Sequence, residues 1–381
     1  MSHTLVLTNA RLVLDDTVMT GTLTVSDGRI LAISDRPVSH PDAIDCGGDD
    51  LLPGLVELHT DNLEKHLMPR NGVFWPILPA VATHDAQCVA GGITTVFDAL
   101  SVGDLEGESV RIDTLHTAFA AICDAMERRL LRADHLFHLR CELAWPELVP
   151  TLAQLVDHPA VRLVSVMDHT PGQRQYRDLD QYRKYYAKKH VAWNDDTFLE
   201  AVKERKRQQA RYAHANKQAV LAIARERRLV LASHDDTDTA HIREAVGDGV
   251  SLSEFPTTLE AARAAREAGL ATIMGAPNVV RGGSHSGNVA AVELARAGLL
   301  DILSSDYVPV SLLDGAYRLV READWSLPRA IATVTSAPAR AAGLADRGRL
   351  APGLRADLVR ARHAGDFVHI RTVWKDGERV F

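Results

Sequence analysis

The sequence predicts an α/β fold: a (β/α)8 TIM-like barrel carrying a small β-sandwich subdomain built from both chain ends. Three observations predict it. Short apolar segments alternate with amphipathic helical stretches eight times along the middle of the chain, the pattern of parallel βαβ units. Both termini instead alternate apolar and polar residues, as half-buried antiparallel strands do. Finally, 381 residues suffice for a barrel with a small unit left over.

The first strands are read from LVLTNARLVL and GTLTVSDGRILAIS, where Asp27-Gly28 marks a two-residue hairpin. Residues 1–52 form the N-terminal part of the β subdomain in this reading, and the barrel runs over 53–342. Its opening strand ends at Leu58, within LLPGLVEL. The second is GGITTVFDAL and the third HLFHLRCEL, followed by VRLVSVMDH, LVLASHDD, GVSLSEF, ATIMGAP and DILSSDY. Stretches such as SVRIDTLHTAFAAICDAMERRLL and TLEAARAAREAGL supply the helices between them. The fourth connection is a helical insertion over about 174–228. Residues 343–381 close the β subdomain, with a second turn at Asp376-Gly377, and the two chain ends are expected to pair.

Composition narrows the function classes. The formal charge of −7 speaks against a general nucleic-acid binder. No apolar stretch is long enough to span a membrane, and the N-terminus lacks the basic start and apolar segment of a signal peptide, so a cytoplasmic protein is expected. The four cysteines are widely spaced, which suggests neither a disulfide framework nor a structural zinc knot. The insertion is locally basic, with 15 Lys or Arg against 7 Asp or Glu. It is either a solvated helical hairpin or an attractor for a polyanionic substrate.

Ionisable residues gather where the predicted strands end. His59 and Asp61 follow the first, with Lys65 and Arg70 just beyond. Glu142 ends the third, Asp168 and His169 the fourth, His234 with Asp235 and Asp236 the fifth, Glu254 the sixth and Asp306 the eighth. In a barrel every strand's C-terminal end opens on the same face, so residues far apart in sequence converge there. His59 and Asp61, two apart on extended backbone, can face one side and hold one cation. A mixed nitrogen and oxygen set of this kind suits one or two divalent ions, zinc first and manganese as an alternative, with a carboxylate such as Glu142 able to bridge two. Such an ion lowers the pKa of bound water, and Asp306 is placed to take that water's proton.

A further stretch, MGAPNVVRGGSHSGN, concentrates Arg281, paired glycines, Ser284, His285 and Asn288. Cations, hydroxyls and backbone N–H groups in a compact loop are how proteins hold phosphate, although the spacing is not that of a Walker A loop. Lys65 and Arg70 add positive charge toward the same mouth.

Taken together, PGLVELHTDNLEKH, MDHTPGQRQY, ASHDDT and GAPNVVRGGSHSGN resemble the metal-dependent hydrolases of the carbon–phosphorus lyase pathway, within the amidohydrolase superfamily, and the likeness spans essentially the whole chain. The resemblance implies hydrolysis of an anionic ribosyl methylphosphonate 5-triphosphate to its 5-phosphate with release of pyrophosphate, in phosphonate breakdown. It places His59 and Asp61 where the superfamily usually has two histidines, Glu142 at the bridging carboxylate, His169 and His234 at the later histidines and Asp306 at the final aspartate. Here the strand count puts His169 and His234 one strand earlier than the commonest pattern, which makes Glu254 a reserve ligand. Two other readings stand beside this one. The same centre serves an amidohydrolase acting on a cyclic amide, ureide or N-acyl group, and barrels also serve as non-catalytic assembly subunits. Homo-oligomerisation is compatible with all three.

Overall fold

The computed structural model describes residues 4–39, 41–104, 110–176, 179–180, 182–183, 194–284 and 287–381. The chain opens with β1 (Thr4–Val13), β2 (Val18–Ser26), β3 (Arg29–Ser34), β4 (Ile44–Asp45) and β5 (Asp50–Pro53). The predicted hairpin joins β2 to β3. Asp27 and Gly28 sit at φ 51° and 76°, the left-handed pair that a two-residue turn between right-twisted strands requires. Alternation sends Leu5, Leu7, Leu12, Leu23 and Val25 into one buried cluster.

Eight parallel strands follow: β6 (Leu55–Thr60), β7 (Ile93–Val102), β8 (Asp134–Glu142), β9 (Val161–Met167), β10 (Val230–His234), β11 (Leu252–Glu254), β12 (Ala271–Gly275) and β13 (Ile302–Ser304). They are the eight segments expected from the sequence, in sequential order. The ring closes where β6 and β13 run out. The Asp306 N–H donates to His59 O at 3.0 Å and the Asp61 N–H to Asp306 O at 3.2 Å. Lower down, Val56 N and Leu303 N bond instead to Val334 O and Thr333 O, so the segment after the helix Leu327–Ala332 seals the seam.

Each barrel strand has an outer face for helices. On β8, Phe137, Leu139 and Cys141 pack with Leu115 and Ile122 of the helix Val110–Glu127 and with Leu148 and Leu152 of the next one, and Phe119 stacks on Phe137 at 4.2 Å. The described part of the insertion is a helix, Asp195–Gln208, that continues through a π-helical turn, Gln209–Ala213, into a second, His214–Glu226. It docks on the barrel. Gln209 Nε2 donates to Asp168 at 3.1 Å, and Asn216 Nδ2 to the carbonyls of Leu143 and Trp145 at 2.9 and 2.8 Å. Residues 177–178, 181 and 184–193 of the insertion lie outside the described residues.

The chain returns to the first sheet with β14 (Leu358–Ala364), β15 (Phe367–Lys375) and β16 (Glu378–Arg379). The strand order is β16-β15-β14-β5-β1-β2-β3, with β4 beside β1, so β5 and β14 join the two chain ends antiparallel, as expected. Asp376 and Gly377 repeat the first turn's geometry at φ 50° and 76°. Gly54 links the two sheets. A Cβ there would stand 2.3 Å from Thr94 Oγ1 and 2.9 Å from Asp357 Cβ, so only glycine lets β5 run straight into β6. Among the described residues no helix is long and apolar enough to cross a membrane.

Candidate metal centre

The barrel interior is layered. Its lower part is apolar, with Val56, Leu58, Phe97, Leu163, Ala232, Leu252, Ile273 and Ile302 in one cluster. Its upper part is ionisable because the same inward positions continue upward with different residue types. On β8 the inward face reads Leu136, His138, Arg140, Glu142; on β10 it reads Ala232, His234; on β11, Leu252, Glu254. β6 departs from strict alternation. Its register against β7 shifts between Glu57 and Thr60, so Leu58 fills the apolar cluster while the next residue, His59, also faces the ring interior. A bulge re-aims a side chain in this way.

Glu254 organises the centre. One oxygen lies 2.6 Å from His59 Nδ1 and the other 2.7 Å from His234 Nδ1. Glu142 does the same for His169, with Oε2 2.6 Å from Nδ1 and Oε1 accepting the backbone N–H at 3.2 Å. A carboxylate on Nδ1 fixes the tautomer and leaves Nε2 with its lone pair as a metal donor. The three rings stand close, with His59 stacked on His234 at 6.2 Å between centroids and His169 edge-on to His234 at 5.5 Å. Asp235 supplies an oxygen. Its Oδ2 lies 3.8 Å from His169 Nε2 and 3.6 Å from His234 Nε2, and is buried without a hydrogen-bond partner. Donors about 2.0–2.1 Å from a tetrahedral ion stand roughly 3.3–3.4 Å apart, so these two imidazole nitrogens and the orphaned carboxylate oxygen fit a divalent cation after small adjustment.

Electrostatics separates the carboxyls. Burial works against the Glu254 carboxylate, but the neighbouring His59 imidazole and the hydrogen bonds from His234 and His59 hold its pKa well below the usual range. Burial and the Asp61 charge push Asp306 up to about 7, with Arg140 and His234 opposing. Burial lifts Glu57 to about 8, against hydrogen bonds from the Ser305 side chain and the His59 and Ser305 backbone N–H groups. Burial takes His138 down to about 3, and its nitrogens rest against Leu58 O at 3.0 Å and Ser165 Oγ at 2.9 Å, so it is a neutral spacer. Asp235, Phe255 and Asp306, each just past a barrel strand, share φ near 54–55°. Left-handed backbone on non-glycine residues costs energy and clusters at working sites.

The structure brings His59, Asp61, His169, His234 and Asp306 to one rim, with Glu142 and Glu254 bonded to the histidines. Asp61 lies 3.5 Å from Arg111 and 3.9 Å from Arg140. The strand count stands: His169 follows the fourth strand and His234 ends the fifth. Lys65 donates to Tyr307 O, next to Asp306, and lies 4.8 Å from the Tyr307 ring. Arg70 is exposed in a turn paired with Val73. Arg281 is exposed at the end of the short helix Ala276–Arg281, while Ser284 and Asn288 are half-buried; His285 lies outside the described residues. Sequence reasoning passed over Glu57, His138 and Arg140. Alternation alone would have flagged the last two, because they share the inward face of β8 with Glu142.

A second ionisable cluster lies outside the ring. His84 Nε2 and His135 Nδ1 contact separate oxygens of Asp98 at 2.8 and 2.7 Å, and Asp85 takes backbone N–H groups of Arg132 and Ala133, both at 2.9 Å. This cluster is closed by its own hydrogen bonds. It ties the helix Ile77–Ala90 to β7 and β8.

Residues 128–381 match the amidohydrolase family. The chain is 46% identical to the alpha-D-ribose 1-methylphosphonate 5-triphosphate diphosphatase of Escherichia coli (strain K12), over 99% of this chain and 100% of that one. It is 27% identical to an imidazolonepropionase of Deinococcus deserti, over 88% of this chain and 85% of that one. Among solved structures, dihydropyrimidinase from Brevibacillus agri superposes with a TM-score of 0.64, covering 99% of this chain and 95% of that one at 15% identity, a likeness of fold. With an eight-stranded parallel ring, histidines held by carboxylates at its C-terminal rim and matches of this extent, the chain belongs to the amidohydrolase family.

Proposed function

We propose that this protein is a metal-dependent phosphoanhydride hydrolase that converts α-D-ribose 1-methylphosphonate 5-triphosphate to the 5-phosphate and pyrophosphate in phosphonate breakdown. The observation that carries the substrate is the end-to-end 46% identity with the Escherichia coli diphosphatase. The geometry supports the reaction class. His169 Nε2, His234 Nε2 and Asp235 Oδ2 would hold the ion, with His59 and Asp61 beside them, and a set of two nitrogens and an oxygen favours zinc. Bound there, a divalent ion acidifies water and polarises a phosphoryl oxygen. Asp306, with its carboxyl raised to about 7 by burial and Asp61, accepts the attacking water's proton at neutral pH. Glu142 and Glu254 hold the imidazoles in the required tautomer. Lys65, Arg70, Arg281, Ser284, His285 and Asn288 are the candidate cations and donors for the polyphosphate. In this reading the protein is cytoplasmic and needs no nucleic acid or membrane partner.

The test is direct. Purified, zinc-loaded protein is incubated with the ribosyl triphosphate and pyrophosphate is followed by phosphorus NMR. Pyrophosphate in step with 5-phosphate is expected. Release of inorganic phosphate alone, or no turnover with one equivalent of zinc bound, would reject the assignment.

A further inference from the structure

Arg140 sits on β8 two residues below Glu142, opposite Ser101 on one neighbouring strand and Ser165 on the other. Its side chain is only 7% exposed. Yet neither Nε nor Nη1 has a hydrogen-bond partner. The Asp61 oxygen it approaches is 3.9 Å from Nη1, too far for a hydrogen bond. Asp61 also lies 3.5 Å from Arg111, so its charge is shared. By contrast Arg347, another nearly buried arginine, spends its nitrogens on Asp134, Asp346 and Thr95 at 2.8–3.1 Å.

A guanidinium with two empty donors inside a barrel carries a desolvation cost that the Asp61 carboxylate, 3.9 Å away, offsets only in part, because no hydrogen bond to Nε or Nη1 accompanies it. It is all donor and no acceptor, so the missing partner is an acceptor. It is a permanent cation beside a cluster built for another cation, so an anion that lies between the two is attracted by both. Its field reaches both halves of the centre, since it acts on Asp306 and on His169. Planar guanidinium suits the oxygens of a phosphoryl group better than a point charge does.

We propose that Arg140 is an anion-binding catalytic residue at the floor of the centre, contacting a non-bridging oxygen of the phosphoryl group under attack. This rests on the phosphoanhydride-hydrolase reading above. In that step the water oxygen forms a new bond to phosphorus, its proton passes to Asp306, and one P–O bond of the α–β bridge breaks with the electron pair leaving on the bridging oxygen. Arg140 neither gains nor loses a proton. It neutralises charge spreading onto the oxygen it touches.

The test uses zinc-loaded wild type, R140A, R140M and R140K with the ribosyl triphosphate, reading zinc content, melting temperature, kcat and KM. For R140A and R140M the expectation is a fall in kcat of at least about 100-fold, with one equivalent of zinc retained. Guanidinium ion added to R140A should restore at least about tenfold of that loss where sodium at equal concentration does not. A kcat/KM within threefold of wild type, or zinc lost in proportion to activity, would overturn the proposal. Should the neutral variants fail to fold, R140K decides: it keeps the charge but not the planar fork, and a loss of less than about tenfold with zinc bound overturns it. Should wild type release no pyrophosphate, the function fails separately. Calorimetric Kd values of the triphosphate for wild type and R140M then decide Arg140, equal values counting against it.

Discussion

Replacing Glu254 by Gln changes one buried charge and almost no volume. The carboxylate accepts from His59 Nδ1 at 2.6 Å and from His234 Nδ1 at 2.7 Å through separate oxygens. Glutamine offers one acceptor oxygen and an NH2 group, so one imidazole must face a donor with a donor. That ring either loses its bond or moves its proton to Nε2, where it can no longer ligate. A hydrogen bond to a charged group contributes about 1.5–3 kcal/mol. At about 1.4 kcal/mol per factor of ten, losing one of the two predicts roughly a 10–100-fold fall in zinc affinity, the range seen when orienting partners are removed. Competition with a chromophoric chelator at pH 7 measures it, with thermal melting of the metal-free protein as a control for folding. Affinity within threefold of wild type would refute the reasoning. So would a loss beyond about 10,000-fold, which would make Glu254 a ligand in its own right.

Three further outcomes follow from the same geometry. Asp306→Asn should lower kcat by at least about 100-fold while zinc content by elemental analysis stays at the wild-type level, and the wild-type rate should rise with pH on a limb centred at or below about 7, because the base works ionised. His135 is opposed by burial but held protonated by Asp98 and Asp85, its pKa raised to about 10, whereas in the unfolded chain it titrates near 6.5. Between those values the folded state binds the extra proton, so stability should fall as pH rises, by at most about 1.4 kcal/mol per pH unit, and unfolding midpoints of His135→Asn between pH 6.5 and 8.5 should lose that slope. Gly54→Ala drives a methyl into Thr94 and Asp357 and should destabilise by about 1–3 kcal/mol, lowering the melting temperature without changing zinc affinity.

The fold was legible because each barrel strand is an apolar run bounded by turn or helix signals, and because both Asp-Gly hairpins announce themselves. The gathering of acids and histidines at one rim was legible for the same reason, since strand ends in a parallel barrel converge whatever their spacing in sequence. What the residue types left open is which atom of each group faces the centre. Glu142 reads as a bridging ligand by position, yet both its oxygens engage His169. Glu254 reads as a spare ligand, yet it grips two imidazoles. Asp235 offers the unpartnered oxygen instead, from a left-handed backbone angle that aspartate tolerates but that strand alternation does not anticipate. Arg140 is hard to single out because a lone arginine in HLFHLRCEL looks like an ordinary surface residue until the period-two face is counted.

Ring closure and site assembly are one event in this protein. The bonds that join the last strand to the first run between His59, Asp61 and Asp306, the residues whose side chains line the rim. The register shift in β6 that turns His59 inward lies beside those bonds, and Glu57 braces it by accepting the backbone N–H groups of both His59 and Ser305. A chain that failed to close would therefore present no ordered centre, and a cation that binds the folded rim stabilises closure in proportion to its preference for it. Zinc should accordingly raise the melting temperature of wild type in a concentration-dependent way. It should do so less in Glu57→Ala, where His59 loses its backbone brace while every proposed ligand remains. Equal zinc-induced shifts in the two proteins would separate closure from metal binding and end the argument.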